Sequence, residues 1–356
     1  MLEPTHADAF AVLCLQAADD GRGPVLFGDG VDRARELARP FLIGTHFPET
    51  YLELPLTGEP FMDVTLLLEE LEPGARVASP LADGTHEALG LYARWLKDYH
   101  DISCGYELDC HDPATRSAAL HFQPRAHHEL VRPFCAALGE PERAELYLAQ
   151  DARMPHGWPL SFFGLFRGRA QAPLRVCGYL DKEEQQACVR DPERLGRALE
   201  RAGLGDFGSE PLAQAACVLA LAPDYVDFQL DVLPDGSLGD SFAFDVHFDR
   251  MRSAEVRAAF ADGSARPLVE QLKAWGIADD RVEMMPELTL NRGLPVVRAD
   301  GSSGVYGFSI APGWLKVRWR AGVLQPAKMY LRCGAGMVRG DEGAGPAPSA
   351  APRSDS

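Results

Sequence analysis

The chain has 356 residues, a formal net charge of −17, 24% charged and 46% hydrophobic side chains. That length and apolar content support one large or two ordinary globular domains and exclude a collagenous, wholly disordered or small disulfide-stapled protein. With 52 acidic against 35 basic residues, the surface field repels polyphosphate, so no duplex nucleic-acid partner is expected.

The first residues, MLEPTHADAFAVLCLQAADDG, are acidic where a signal peptide is basic, and no window reaches the roughly 18 apolar residues of a membrane span. Eight cysteines form no CxxC pair, and most sit in apolar runs such as PFCAAL and AQAACVLAL. They read as buried thiols in a reducing compartment, so the expected location is cytoplasmic.

Five pairs of alternating segments follow along the chain: Tyr51–Leu56 with Phe61–Leu68, Cys104–Cys110 with Ala118–Pro124, Ser161–Arg167 with Leu174–Leu180, Tyr225–Val232 with Ser241–Phe248, and Trp314–Arg320 with Ala327–Cys333. Turn residues at Thr57-Gly58-Glu59-Pro60, Arg167-Gly168-Arg169 and Pro234-Asp235-Gly236 suit hairpins. Between them, helical spacing predicts helices over His86–Tyr99, His127–Leu138, Lys182–Ala202 and Ser253–Gly276, the last broken near Asp262-Gly263. The loop Pro286–Gly304 reads as a mobile rim element or a plain connector. From Gly334 onward the chain is rich in Gly, Ala, Pro and Ser without aromatic anchors, which predicts one domain over 1–333 and a disordered tail over 334–356.

Ten strands in hairpins, with helices between, predict an α+β fold: a closed barrel of about ten antiparallel strands surrounded by helices, with an open two-layer sheet as the alternative. In either, alternation gives each strand an apolar face for the helices and a polar face. Val226, Phe228, Leu230 and Val232 oppose Asp227, Gln229 and Asp231; Phe242, Phe244, Val246 and Phe248 oppose Ser241, Ala243, Asp245 and His247. The same rule puts Glu53, Asp63, Thr65, Glu107, Asp109, His121, Gln123, Arg175, Cys177, Tyr179, Lys316, Arg318, Arg320, Lys328 and Tyr330 on the polar face. Aromatics among those charges, Tyr51, Tyr179 and Tyr330, favour a lumen over a wetted face.

Near-motifs elsewhere carry no chemistry. In His127-His128-Glu129-Leu130-Val131-Arg132, Arg132 stands where a zinc protease needs its second histidine. Asp19-Asp20 and Asp279-Asp280 lack the context of an aspartate-rich diphosphate motif, and there is no P-loop or nucleophile elbow.

The segment order, with GYELDCHDPATRSAALHFQPR as second hairpin, FFGLFRGRAQAPLRVCGYL as third and AKMYL as closing strand, resembles the ABBA, or prenyltransferase-barrel, family, and within it the cyanobactin-type peptide prenyltransferases. The resemblance spans roughly residues 8 to 333 and implies transfer of a prenyl group from a prenyl diphosphate to a side chain of a peptide or small aromatic acceptor, in natural-product biosynthesis. It implies Glu53 as base and a lumenal His121. Arg175, Lys316, Arg318 and Lys328 would hold the diphosphate, and Tyr179, Tyr330 and Trp319 would line the allyl cation. Asp227 and Asp245 would bind Mg²⁺ bridging to the diphosphate. Ala119 and Gln123 flank His121 where the family carries basic groups. That loss is what the alternative predicts: a catalytically silent barrel that binds a precursor peptide. A small-molecule carrier barrel is the third reading.

Overall fold

A computed structural model of the chain describes residues 23–28, 30–38, 49–68, 85–111, 118–169, 171–248, 251, 253–261, 263–297 and 303–338. Its strands are β1 (Glu49–Pro55), β2 (Asp63–Leu68), β3 (Ser103–Leu108), β4 (Ala119–Gln123), β5 (Leu160–Leu165), β6 (Leu174–Tyr179), β7 (Val226–Val232), β8 (Leu238–His247), β9 (Leu290–Val297), β10 (Ser303–Arg320), β11 (Val323–Leu324) and β12 (Lys328–Val338). Strands β1 to β8 pair with their sequence neighbours, all antiparallel. Two long-range ladders close the ring. Strand β8 pairs with β10 from His247↔Trp314 to Ser241↔Arg320, β10 pairs with β12, and β12 returns to β1 from Glu49↔Gly334 to Pro55↔Lys328. Ten strands therefore form a closed barrel, and no sheet edge is left within the ring.

Period-2 alternation sends one apolar set outward. Leu52, Val64, Phe122, Phe163, Val176, Phe228, Phe242, Phe244, Val317 and Met329 are buried against helices that contribute Phe134, Tyr147, Leu199, Val218 and Leu268. Ring contacts fix part of this layer: Phe122 stacks on Phe134 at 4.1 Å, and Tyr147 meets Phe163 at 5.2 Å. Burying such side chains contributes on the order of 1.5–3 kcal/mol each before entropy is counted.

Three expectations need correction. The single helix over Lys182–Ala202 is two, α1 (Lys182–Arg190) and α2 (Pro192–Ala202). Pro192 cannot donate into a continuing helix, and the Asp191 side chain instead accepts from the Glu193 amide at 3.1 Å. The segment Pro286–Gly304 is not a plain loop, because Leu290–Val297 forms β9 and pairs with the first half of the 18-residue β10. Strand β12 also runs on to Val338, pairing Val305↔Val338, so Gly334 to Val338 belong to the sheet and not to the tail. Residues 339–356 lie outside the described residues. Asp279 is a structural acid, since the Arg281 guanidinium donates to both its oxygens and to the Gly58 carbonyl at 2.9 Å.

Six cysteines, Cys104, Cys110, Cys135, Cys177, Cys188 and Cys333, are buried, as expected of thiols kept for packing. Burial pushes the Cys135 and Cys188 thiols up to about 12, which leaves them protonated and inert.

Candidate functional site

The inward face of the barrel is the polar face that alternation predicts, and it encloses a cavity of about 370 Å³, solvent at its mouth included. Glu53, Glu107, Arg169, Arg175, Gln229, Asp231, Ser241, Ala243, Lys316, Arg318, Lys328 and Tyr330 line it. The four cations expected to hold a diphosphate thus converge on one space. Arg169 joins them, unforeseen, because it stands in the β5–β6 turn, where no alternation applies. Gln171 and Ala172 beside it take positive φ.

Closure puts each of these cations against a carboxylate. Arg175 and Asp231 are direct cross-strand partners, and the Arg175 Nε donates to Asp231 Oδ1 at 3.0 Å. Arg318 donates through Nε to Ser241 Oγ at 2.8 Å and lies 3.8 Å from Asp231 Oδ2. The Arg169 Nη2 reaches Glu107 at 2.8 Å and Asp109 at 2.7 Å. Lys328 Nζ donates to one oxygen of Glu53 while the Tyr330 hydroxyl donates to the other. Lys316 Nζ in turn donates to the Tyr330 hydroxyl at 2.8 Å and sits 3.9 Å from Asp245 Oδ1.

The consequences for protonation follow from burial set against charge. Burial alone would raise the Glu53 carboxyl, but the Lys328 and Lys316 ammonium groups outweigh it and hold Glu53 down at about 2. Burial likewise works against the charged form of Glu107, yet His121, Arg169 and Arg175 keep it well below the usual carboxylate range. Asp245 goes the other way: burial raises it. Burial also lowers the Lys316 ammonium and lifts the Tyr330 phenol well above its ordinary value.

One end of the lumen is aromatic. Tyr51 and Trp314 have ring centroids 4.5 Å apart, and Trp314 stacks on Tyr330 at 4.5 Å and 16°. His247 lies 5.4 Å from Trp314 and stacks on Tyr225 at 4.3 Å. Lys316 Nζ sits 4.7 Å from the Tyr330 ring centroid, and Lys328 Nζ 5.3 Å from that of Phe61. Trp314 was missed in sequence because it opens the run Trp314–Arg320, where the polar-face rule was applied only to the charged positions. Its inward direction follows from its register with Tyr330 and His247.

The other expected residues divide clearly. Tyr330 lines the cavity. His121 stands behind it, its Nε2 3.1 Å from Glu107, over Gly164, where a Cβ would approach the imidazole to 2.7 Å. Tyr179 shares the inward face at the end of β6, opposite Asp227, but does not line the cavity. Trp319 is a correction. It lies on the outer face, buried against Phe207, Phe242 and Phe244, with Nε1 donating to Gln214 at 3.0 Å. Its strand neighbours Arg318 and Arg320 take the inward positions, so a period of two forces Trp319 outward. Among the described residues, no group of three or more His, Cys, Asp or Glu side chains is set to hold a metal. Asp227 and Asp245 face each other across β7 and β8, and each keeps one buried Oδ1 without a hydrogen-bond partner.

At the rim, His111 Nδ1 contacts Asp63 Oδ2 at 2.8 Å and its ring stacks on Phe61 at 4.4 Å. The hydrogen bond to Asp63 raises the His111 proton affinity, while burial chiefly raises that of Asp63. A His with a raised folded pKa adds stability that is fully present below the unfolded value near 6.5 and is lost as pH rises through the folded value. Stability therefore falls as pH is raised above about 6.5, and His111→Gln should flatten that limb of a pH–unfolding profile. An unchanged profile would remove the pair from the account.

No protein-family model matches the sequence, and no curated protein matches it. Solved structures do. NotF prenyltransferase aligns over 91% of this chain and 92% of its own, with 10% identity and a TM-score of 0.50. The 5-dimethylallyltryptophan synthase from Streptomyces coelicolor aligns over 93% and 97%, with 14% identity and a TM-score of 0.47. Prenyltransferase PriB in its apo form aligns over 93% and 96%, with 17% identity and a TM-score of 0.47. At 10% identity the likeness to NotF is one of fold, and the fold is the ABBA, or prenyltransferase, barrel. Among the described residues, no helix is long and apolar enough to cross a membrane.

Proposed function

We propose that the chain is a prenyltransferase that moves a prenyl group from a prenyl diphosphate to a side chain of a peptide or small aromatic acceptor. The observation that carries this reading is the convergence of Arg169, Arg175, Lys316, Arg318 and Lys328 on one lumenal cavity beside the Tyr51–Trp314–Tyr330 stack. A soluble allylic diphosphate needs those two things together. The cations stabilise the departing diphosphate as the C1–O bond breaks, and the aromatic faces shield the allyl cation until the acceptor closes a new bond to carbon. The acceptor then loses its proton, and Glu53, buried between Lys328 and Tyr330, is a carboxylate that touches both a lumenal cation and the aromatic stack.

Mg²⁺ keeps several waters and needs only one or two protein carboxylates when it rides on a diphosphate. Asp227 and Asp245, which face each other across β7 and β8 and each keep an Oδ1 free of hydrogen bonds, would hold the ion, and a bound Mg²⁺ would supply charge neutralisation for the leaving group. The resemblance to cyanobactin-type enzymes favours a peptide. Incubation with dimethylallyl or geranyl diphosphate and peptides bearing Trp, Tyr, Ser or His should give a product heavier by one prenyl group. No gain with any pair removes the enzymatic reading.

One observation favours the second reading, a silent barrel that binds a precursor peptide: the lumenal cations already face carboxylates of the protein itself. A prenyl diphosphate raises the melting temperature only where the cations can still be recruited.

A further inference from the structure

Among the described residues, each lumenal cation already has a polar partner in the resting arrangement, Lys316 through the Tyr330 hydroxyl and, at 3.9 Å, Asp245. Arg175 and Arg318 share Asp231, Arg169 is held by Glu107 and Asp109, and Lys328 is held by Glu53. An incoming diphosphate must therefore draw on a cation that is already engaged. The guanidinium groups can add an anion without releasing their carboxylates, because each presents five N–H donors in a fixed fork. Lys328 differs. It is a point charge on a flexible stem, its side chain 26% exposed at the edge of the cavity, with Glu53 its one ion-pair partner among the described residues.

Glu53 differs too, because its side chain is 7% exposed and lies among other acids. Asp63 is its direct partner on β2, and Glu107 faces it from β3. On β12 it meets Lys328 and Tyr330, and from β10 Lys316 reaches it through the Tyr330 hydroxyl while the Arg318 guanidinium acts on it through charge. A buried carboxylate in such company stays charged while an ammonium group touches it and takes a proton when that contact is removed.

We propose that the Lys328–Glu53 ion pair is a latch opened by substrate: a diphosphate takes Lys328 from Glu53, and the released carboxylate becomes able to accept a proton. The proposal rests on the reading of the lumen as a diphosphate site and adds an order to it. Glu53 is a poor base while the lumen is empty and a competent one only when the leaving group is in place, with the Tyr330 hydroxyl still holding its second oxygen. In turnover the proton comes from the acceptor; with inorganic pyrophosphate alone it comes from solvent.

The test uses the full chain and inorganic pyrophosphate in metal-free buffer near pH 6, about the value that a carboxyl group in an apolar pocket reaches. Calorimetric titration in two buffers of different ionisation enthalpy counts the protons taken up. Pyrophosphate's own protonation is cancelled by comparison with Glu53→Gln. The latch predicts that the wild-type chain takes up more protons per pyrophosphate than E53Q, and that E53Q binds about tenfold more tightly, since its Lys328 is no longer contested, a difference of about 1.4 kcal/mol. Pyrophosphate binding by the wild-type chain with no difference in affinity or proton count overturns the latch and leaves the diphosphate reading standing. Failure of both proteins to bind pyrophosphate removes that reading, and the latch with it. Should E53Q not fold, Lys328→Met replaces it: the latch predicts weaker binding with fewer protons than wild type, and an equal proton count overturns it.

Discussion

Asp231→Ala should lower the free energy of unfolding by about 3 kcal/mol, the lower end of what breaking one partner of a buried ion pair costs. Arg175 and Asp231 are side chains 10% and 15% exposed, joined by a 3.0 Å hydrogen bond between paired positions of β6 and β7. Guanidinium cannot shed its proton, so Arg175 would remain as a charge in a wall of low polarisability. Glu107 lends it some compensation, and Arg318 would lose its own 3.8 Å neighbour. Replacing both partners, as Arg175→Met with Asp231→Leu, should recover most of the loss, because an apolar pair of similar volume asks for no solvation. Urea unfolding of the three proteins checks this. A single-variant loss below about 1 kcal/mol, the range of an exposed pair, would mean that Arg175 is held by the wider network and not by Asp231.

The strands of the barrel were legible because two signals coincided in each. In β7 and β8, for instance, Phe228 and Phe244 alternate with Gln229 and Asp245, and Pro234-Asp235-Gly236 closes the turn. Strand β9 offered no such coincidence. Its LNRGLPVV run carries Gly293 and Pro295, which mark loops on local grounds, and it becomes a strand only because β10 extends far enough to pair with it. The inward-facing residues followed from alternation, but their partners could not. Glu53 and Tyr330 are 277 residues apart and come opposite each other only when β12 closes on β1. A list of inward charges therefore showed a site rich in cations without showing that those cations are already occupied. Trp319 was misplaced for a different reason, its chemistry being given more weight than its parity beside Arg318.

Occupancy makes the lumenal cations unequal, and Lys316 is where fold and function should separate most cleanly. Its side chain is 9% exposed, donates to Tyr330 and lies 3.9 Å from Asp245 Oδ1, beside the aromatic stack. Burial already pushes Lys316 toward losing its proton and Asp245 toward gaining one. Removing the amine thus leaves a carboxyl that can neutralise itself, unlike the guanidinium that Asp231→Ala strands. Lys316→Met keeps the length and apolar stem of the side chain, so stability should change by no more than about 1 kcal/mol, the net worth of the lost hydrogen bond to Tyr330, because the Asp245 carboxyl left behind can take a proton instead of staying as a stranded charge. Turnover in the prenyl-transfer assay should nevertheless fall by about 10²–10³, the cost of deleting one preorganised group from a site of developing negative charge. Unfolding by urea and single-turnover rates on the same preparation read the two effects separately. Turnover that survives the substitution would exclude Lys316 from the diphosphate site and shift that role to Arg169, Arg175 and Arg318. A large loss of stability would show instead that the Lys316–Asp245 contact serves to close β8 on β10.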